Sequence, residues 1–431
     1  MVGPLERGRF LIRFFGQVDY GQVEAVLVGA FDQVGHAVIV VRIEINEELF
    51  IQHGDFRNSG YLPPAYLITP AASGSSLSLT AIAEPHCRPC SYSMYTTTAR
   101  EMIPDVFSAP KYTGPVSDHF DGHHFINPRP AAPKGFADFF RFMWLSKRGD
   151  WSKWTENRAY PPPPKRLHTG ELRVTFVNHA TVLIQMEGLN ILTDPIWSMR
   201  CSPVSFAGPK RVRAPGVAFE DLPPLDVIIV SHNHYDHLDL PTLKRLYVDH
   251  PQARIITSLG NKLLLNLAGL SRVEEMDWGD VIRLSDDLAL HSLPSQHFSG
   301  RGTSDRLCTL WMSCMLTGRS GNVYFAADSG MGPHFAEIGE RFGPIQLALL
   351  PIGSYLPRWF MRDVHLSPAE AVEAHRILRA ERSIGIHFGT FELGTDGQYQ
   401  AVEELSEALE AVDGERPDFT TLDFGESRLI P

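Results

Sequence analysis

Ser231-His232-Asn233-His234-Tyr235-Asp236-His237-Leu238-Asp239 decides how this chain is read. Its centre runs H-x-H-x-D-H, with metal-binding side chains at 232, 234, 236 and 237. Ahead of it stands Asp226-Val227-Ile228-Ile229-Val230, a short apolar, β-branched run that predicts a buried strand. Pro241 just beyond it opens a helix-like segment. The cluster therefore falls on the loop that leaves a strand's carboxyl end, where α/β sheets commonly bind ligands.

The spacing has a chemical logic. Imidazole suits zinc, and a carboxylate adds a hard, charged ligand. On such a turn His232 and His234 can face one cation, and Asp236 and His237 a second beside it. The bland alternative, a set of satisfied core or surface residues, fits poorly. Three imidazoles and a carboxylate without partners are costly to bury.

The whole chain narrows the classes. Its 431 residues suffice for one large core or two smaller ones, and 43% hydrophobic with 21% charged residues is ordinary globular composition. A net charge of −11 argues against a nucleic-acid binder, which carries a basic footprint. Cys87, Cys90, Cys201, Cys308 and Cys314 are too scattered for a disulfide scaffold, so a reducing, cytoplasmic compartment is expected. No apolar run is long enough to span a bilayer, and the N-terminus lacks a clean apolar signal region. Contact with a membrane surface stays open.

Residues 1–108 carry no legible chemistry. They read as an N-terminal extension, either poorly ordered or from an upstream start that is not native. A strand is predicted over 37–43, and the Pro-, Ala-, Ser- and Gly-rich tract 63–80 reads as loop or disorder. Cys87-Arg88-Pro89-Cys90 has zinc-ribbon spacing with His86 beside it, but no second pair follows, so the pair reads as accidental. Residues 109–165 are a lead-in segment expected to pack on the catalytic domain, residues 166–431. The His-dense tract 114–125 reads as a packed loop and the aromatic run 136–144 as a helix with one apolar face. The prolines at 161–164 are a stiff linker.

Within the last domain, strands are predicted over 172–177, 181–185 and 189–193, then 226–230, 253–257, 288–293, 322–327, 347–351 and 383–386. Helices are predicted over 241–248, 261–267, 332–342 and 401–412. His297 and His387 each follow a predicted strand end, as ligands on a loop rim do. Asp328 stands between an apolar strand and Gly330, either capping the next segment or bridging two cations, which lie roughly 3.5–4 Å apart in two-metal sites. Asp194 before Pro195 is either a turn residue or a carboxylate that takes an N–H from a metal-bound imidazole. Lys210, Arg211 and Arg213 read by default as a small solvated patch. Ser367-Pro368-Ala369-Glu370 is a capping box.

The 231–239 stretch resembles the metallo-β-lactamase superfamily, which implies an α/β fold, an αββα sandwich with metals along one edge. Thr193-Asp194-Pro195-Ile196, Ser202-Pro203, Gly208-Pro209-Lys210-Arg211, Pro223-Pro224-Leu225-Asp226, Ser295-Gln296-His297 and Gly425-Glu426-Ser427-Arg428 narrow it further. In that order they resemble the N-acyl-phosphatidylethanolamine-hydrolysing phospholipase D family over residues 112–431. The resemblance implies two Zn2+ ions: one on His232, His234, His297 and Asp328, the other on Asp236, His237, Asp328 and His387.

It also implies catalytic roles for Asp236 and His365, a structural role for His179 near the site, and attack by a metal-bound hydroxide on the phosphodiester. Tyr355, Trp359 and Phe360, in the apolar loop 352–361, are expected to line an acyl channel, against the plain reading of core packing. The implied partners are a phospholipid substrate, a membrane surface and a second copy of the chain, with no nucleic acid. Val364 departs from the family's polar residue and leaves substrate preference open. A lactonase or a general phosphodiesterase on the same frame is the alternative.

Overall fold

Apolar strands whose side chains pack on two buried faces position the site of this structure. The computed structural model describes residues 108–129, 138, 141–142, 146–302 and 304–431, and before them the backbone of six strands. The chain divides into two compact units, Met1–Val106 and Phe107–Pro431. In the first, strands β1 (Phe10–Phe14), β2 (Gln22–Gly29), β3 (Ala37–Glu44) and β4 (Phe50–His53) form an antiparallel sheet in that order. β5 (Tyr66–Pro70) and β6 (Leu77–Ala81) pair as a hairpin inside the tract read as loop. There the β-formers Tyr66, Ile68, Thr69 and Thr80 outweigh the average composition. Cys87, Cys90 and His86 lie outside the described residues, as does most of 136–144, where Asp138, Arg141 and Phe142 are helical.

The second unit has two seven-stranded sheets. The first is built from β7 (Leu172–Asn178), β8 (Thr181–Met186), β9 (Leu189–Thr193), β10 (Val227–Val230), α1 (Leu240–Asp249), β11 (Arg254–Ser258), α2 (Asn261–Leu267) and β12 (Val273–Met276). The second holds β13 (Val281–Arg283), β14 (Leu288–Leu293), β15 (Ser313–Gly318), β16 (Gly321–Phe325), α3 (His334–Phe342), β17 (Leu347–Pro351), α4 (Arg358–Met361), α5 (Pro368–Ile377), β18 (Ser383–Ile386), α6 (Gln400–Glu410) and β19 (Phe419–Thr421). β20 (Ser427–Ile430) returns to pair with β7. The orders are β12-β11-β10-β9-β8-β7-β20 and β13-β14-β15-β16-β17-β18-β19. Each sheet runs as an antiparallel meander and then as parallel strands, from β9 in the first and from β16 in the second.

Period-two patterning explains the layers. In β10, Val227 and Ile229 face the core between the sheets, while Ile228 and Val230 pack with Leu243 and Leu246 of α1. In β17, Leu347 and Leu349 face inward, and Ala348 and Leu350 pack with Phe335 of α3 and Ala371 and Ala374 of α5. A strand covered on both faces must be apolar throughout, as 227–230 is. The result is the αββα sandwich. Asp249, Ser258 and Phe325 end their elements within two residues of the sequence reading, while the short or weakly β-branched β12, β13, β15, β19 and β20 were not foreseen. Ser367 caps α5, its hydroxyl accepting from the Glu370 N–H while the Glu370 carboxylate accepts from the Ser367 N–H.

Candidate metal centre

Strand ends along one edge of the sandwich deliver the site. The 231–239 turn follows β10, His297 follows β14, Asp328 follows β16, and His387 follows β18. His179 sits in the β7–β8 turn, and Asp194 follows β9. His179, Asp194, Ala327 and His387 all have positive φ, at 49°, 33°, 52° and 61°. For side chains with a Cβ this costs on the order of 1 kcal/mol or more each, and the packed strand ends hold it.

Two groups of ligand atoms form. In one, His232, His234 and His297 bring their ring nitrogens together: His232 Nε2 lies 2.9 Å from His234 Nδ1, and His297 Nε2 lies 3.2 Å from it. In the other, Asp236, His237 and His387 converge with His179. Asp236 Oδ2 is 3.3 Å from the Nε2 of both His237 and His387, and 2.8 Å from His179 Nε2. Asp328 stands between the groups. Its Oδ2 is 3.2 Å from His237 Nε2 and 3.5 Å from His297 Nε2, and its Oδ1 is 3.2 Å from His387 Nε2.

Outward hydrogen bonds fix which nitrogen each ring presents. Asp194 is fully buried and accepts from the Ser231 N–H and Ser231 Oγ, both at 2.7 Å, and from His237 Nδ1 at 2.6 Å. Ser231 Oγ in turn accepts from His232 Nδ1 at 2.8 Å. His297 Nδ1 donates to the Val364 carbonyl at 2.9 Å. His232, His237 and His297 therefore turn Nε2 towards the cluster, as metal-ligating histidines with an outward Nδ1 partner do, while His234 turns Nδ1 to it. Burial raises the Asp194 carboxyl while His237 and Ser231 lower it; three donors and no acceptor around it favour the carboxylate.

The charge balance fits cations. Burial pushes His232 and His297 well below the usual histidine range, and His234 and His365 to about 4, so these rings are neutral. Burial also opposes charge on His237 and His387, but Asp328 and Asp236 carry both upward, His387 to about 9. Without another cation, protons on these two rings balance the buried carboxylates; metal ions would replace them. Beyond these ion-pair approaches, His237 Nε2 and Asp328 Oδ1 are buried without a partner in hydrogen-bond geometry among the described residues, as atoms facing a ligand would be. Histidine nitrogen and carboxylate oxygen together form a donor set that suits a divalent transition metal.

A β-lactamase superfamily domain matches residues 189–388. A protein of Caenorhabditis elegans named N-acyl-phosphatidylethanolamine-hydrolyzing phospholipase D 1 is 42% identical over 266 residues, which are 59% of this chain and 75% of that protein. This chain belongs to the metallo-β-lactamase superfamily and is a homologue of the N-acyl-phosphatidylethanolamine-hydrolysing phospholipases D. A mitochondrial phospholipase D of that description from Saccharomyces cerevisiae is 34% identical over 224 residues, 51% of this chain and 47% of that protein. Among solved structures, an isothiocyanate hydrolase from Delia radicum gut bacteria has a TM-score of 0.48 and 19% identity, covering 59% of this chain and 98% of that chain.

Not every residue singled out in the sequence joins this metallo-β-lactamase-type centre. His365 does, grouped with His297 and Asp328. Tyr355 packs in the core with Leu350 and Ile352; Phe360 stacks on Phe142 at 4.8 Å, and Trp359 lies under Arg141. The expected basic patch is corrected. Arg211 is 1% exposed and donates to the Ser198 and Ile196 carbonyls, while Arg213 is buried against Phe424 and Asn157. Their charges organise the loop, because each planar guanidinium supplies donors to oxygens that the irregular backbone leaves unpaired.

In the His-dense tract, His119 bonds Asp118 and Asp277 and stacks on Trp278, and no residue of it falls in a ligand group among the described residues. Sequence reading gave no role to Ser231, Asn127 or the Val364 carbonyl. Ser231, next to the first histidine, was the one with a local signal.

Proposed function

We propose that this protein is a zinc-dependent phosphodiesterase that hydrolyses N-acyl phosphatidylethanolamine to phosphatidic acid and an N-acylethanolamine. The observation that carries the reading is the Asp328 carboxylate reaching both ligand groups in a chain 42% identical to a phospholipase D of that activity. His232, His234, His297 and Asp328 would hold one Zn2+, and Asp236, His237, Asp328 and His387 the other. When bound, such a metal pair lowers the pKa of a water to about 7 and neutralises charge on the phosphoryl oxygens.

The chain's own groups do the rest. Asp194 and Ser231 keep His232 and His237 in the tautomer that presents Nε2. His179, neutral because burial and then His387 push it to about 3, donates from Nε2 to Asp236 and holds that carboxylate in place. His365 is neutral and buried, with its Nδ1 free of any partner among the described residues, and offers a hydrogen bond to a substrate oxygen. Trp359 and Phe360 supply apolar surface for an acyl chain, and Tyr355 supports the loop beneath them. A second copy of the chain and a membrane surface are further proposed partners; exposed Met199 and Phe206 beside Arg200 and Lys210 suit an anionic, apolar boundary.

Turnover of long-chain N-acyl phosphatidylethanolamine is measured in competition with a soluble phosphodiester and a sugar lactone, with and without chelator. The lipid is expected to be preferred and chelator to abolish its hydrolysis, with zinc restoring it. Equal turnover of the two phosphodiesters leaves a general phosphodiesterase, and lactone preference a lactonase.

A further inference from the structure

His297 is not held by its own strand. β14 ends at Leu293, and the described residues between it and β15 at Ser313 hold no helix or strand. A ligand on so long an irregular loop needs outside support to keep a fixed reach. Asn127, from the lead-in segment, supplies it. Its Nδ2 donates to the His297 carbonyl at 2.7 Å, and its Oδ1 accepts from the His297 N–H at 3.0 Å. The residue before the histidine returns the arrangement: Gln296 Nε2 donates to the Arg129 carbonyl at 2.7 Å, and its Oε1 accepts from the Arg129 N–H at 3.0 Å. A carboxamide carries one donor edge and one acceptor edge, so each pairs with a residue's backbone as a neighbouring strand would.

The same segment is tied to the same loop farther out. Phe125 N–H donates to the Leu307 carbonyl at 2.8 Å, Tyr112 N–H to the Cys308 carbonyl at 2.9 Å, and Ala109 N–H to Asp305 Oδ2 at 2.7 Å. The His297 ring is fixed separately, by the Val364 carbonyl. Arg129 reaches Asp363, the residue before Val364, at 3.4 Å. The lead-in thus brackets the backbone of His297 and touches the loop that orients its ring. The matching superfamily domain begins only at residue 189 and does not include this segment.

We propose that Asn127 is a positioning residue of the metal centre. Through the His297 backbone it sets the reach of His297 Nε2 towards His232, His234 and Asp328, and so governs that ligand group while leaving the group around His387 alone. The proposal rests on the two-metal reading above. Loss of such supporting contacts typically weakens metal binding by roughly 10–100-fold.

The test titrates chelator-stripped protein with Co2+ and Zn2+ against a chromophoric competitor, with metal-to-protein ratios from mass spectrometry and melting curves of the stripped proteins. Asn190→Ala is the matched control: its buried carboxamide bonds the Lys165 and Pro224 carbonyls at the opposite end of β9 from Asp194. Wild type is expected to take two equivalents. Asn127→Ala should keep one tight equivalent and bind the other about 10–100-fold more weakly, with an altered Co2+ spectrum for that equivalent alone. Asn190→Ala should melt earlier and keep both.

If Asn127→Ala binds both ions as tightly as wild type, or loses both in parallel, the proposal is wrong. If that variant does not fold, Asn127→Asp, which retains an acceptor for the His297 N–H, is judged by the same titration. A wild type that takes fewer than two equivalents removes the two-metal reading and this proposal together; two equivalents of wild-type affinity in both proteins remove this proposal alone.

Discussion

The Asp194 carboxylate lies 2.6 Å from Nδ1 of His237, and neither side chain reaches solvent. Through Ser231 Oγ the same carboxylate also governs His232, so one buried group sets the tautomer of a histidine in each ligand group. Asp194→Asn keeps the volume but presents an amide that can be turned the wrong way to His237. Metal affinity is expected to fall roughly 10–100-fold at both sites, read by chelator competition. An unchanged affinity would mean that the rings are oriented by packing alone.

Asp328 is the carboxylate within reach of both groups. Asp328→Asn removes the charge that offsets two cations, and both metal content and hydrolysis should fall by more than about 100-fold. Full activity in this variant contradicts the bridge.

Val364 contributes its carbonyl, not its side chain, to His297. Val364→Gln should therefore leave the metal-to-protein ratio at its wild-type value and, under the proposed lipid-hydrolysing function, change the relative turnover of different N-acyl phosphatidylethanolamines. Loss of metal from this variant would show that the side chain also supports the site.

His334 is buried in the fold, and burial pushes its pKa from 6.5 to about 3. Between these values the unfolded chain binds a proton that the folded chain refuses, so stability rises with pH and is lost as pH falls below 6.5. From pH 7 to pH 5 this amounts to on the order of 2 kcal/mol for one such residue. Urea unfolding of chelator-stripped wild type and His334→Gln at both pH values should show a smaller acid loss in the variant. Equal losses would rule out His334 as a contributor.

The sequence by itself determined the layers and marked most of the histidines and carboxylates that the fold brings together. The apolar runs at 227–230 and 347–351 are continuous because both faces of each strand are covered, and that pattern needs no knowledge of the neighbours. His232, His234, Asp236 and His237 were legible because their spacing is local. His297, Asp328 and His387 were legible as polar residues at strand ends, and family resemblance named them as ligands.

Tertiary structure alone decided the rest. The pairing of Asn127 with His297 joins residues 170 positions apart, and that of Asp194 with His237 residues 43 apart. Asp194 was legible as an acceptor for an imidazole N–H, but not which imidazole it meets, and Asn127 carries no mark of its partner at all. Arg211 reads as solvent-facing in sequence because charge favours water; only the folded loop shows the carbonyls that repay its burial. Local pattern specifies which faces are apolar and where strands stop. Which polar groups then meet depends on how separate strand ends converge, and that is a property of the assembled sheets.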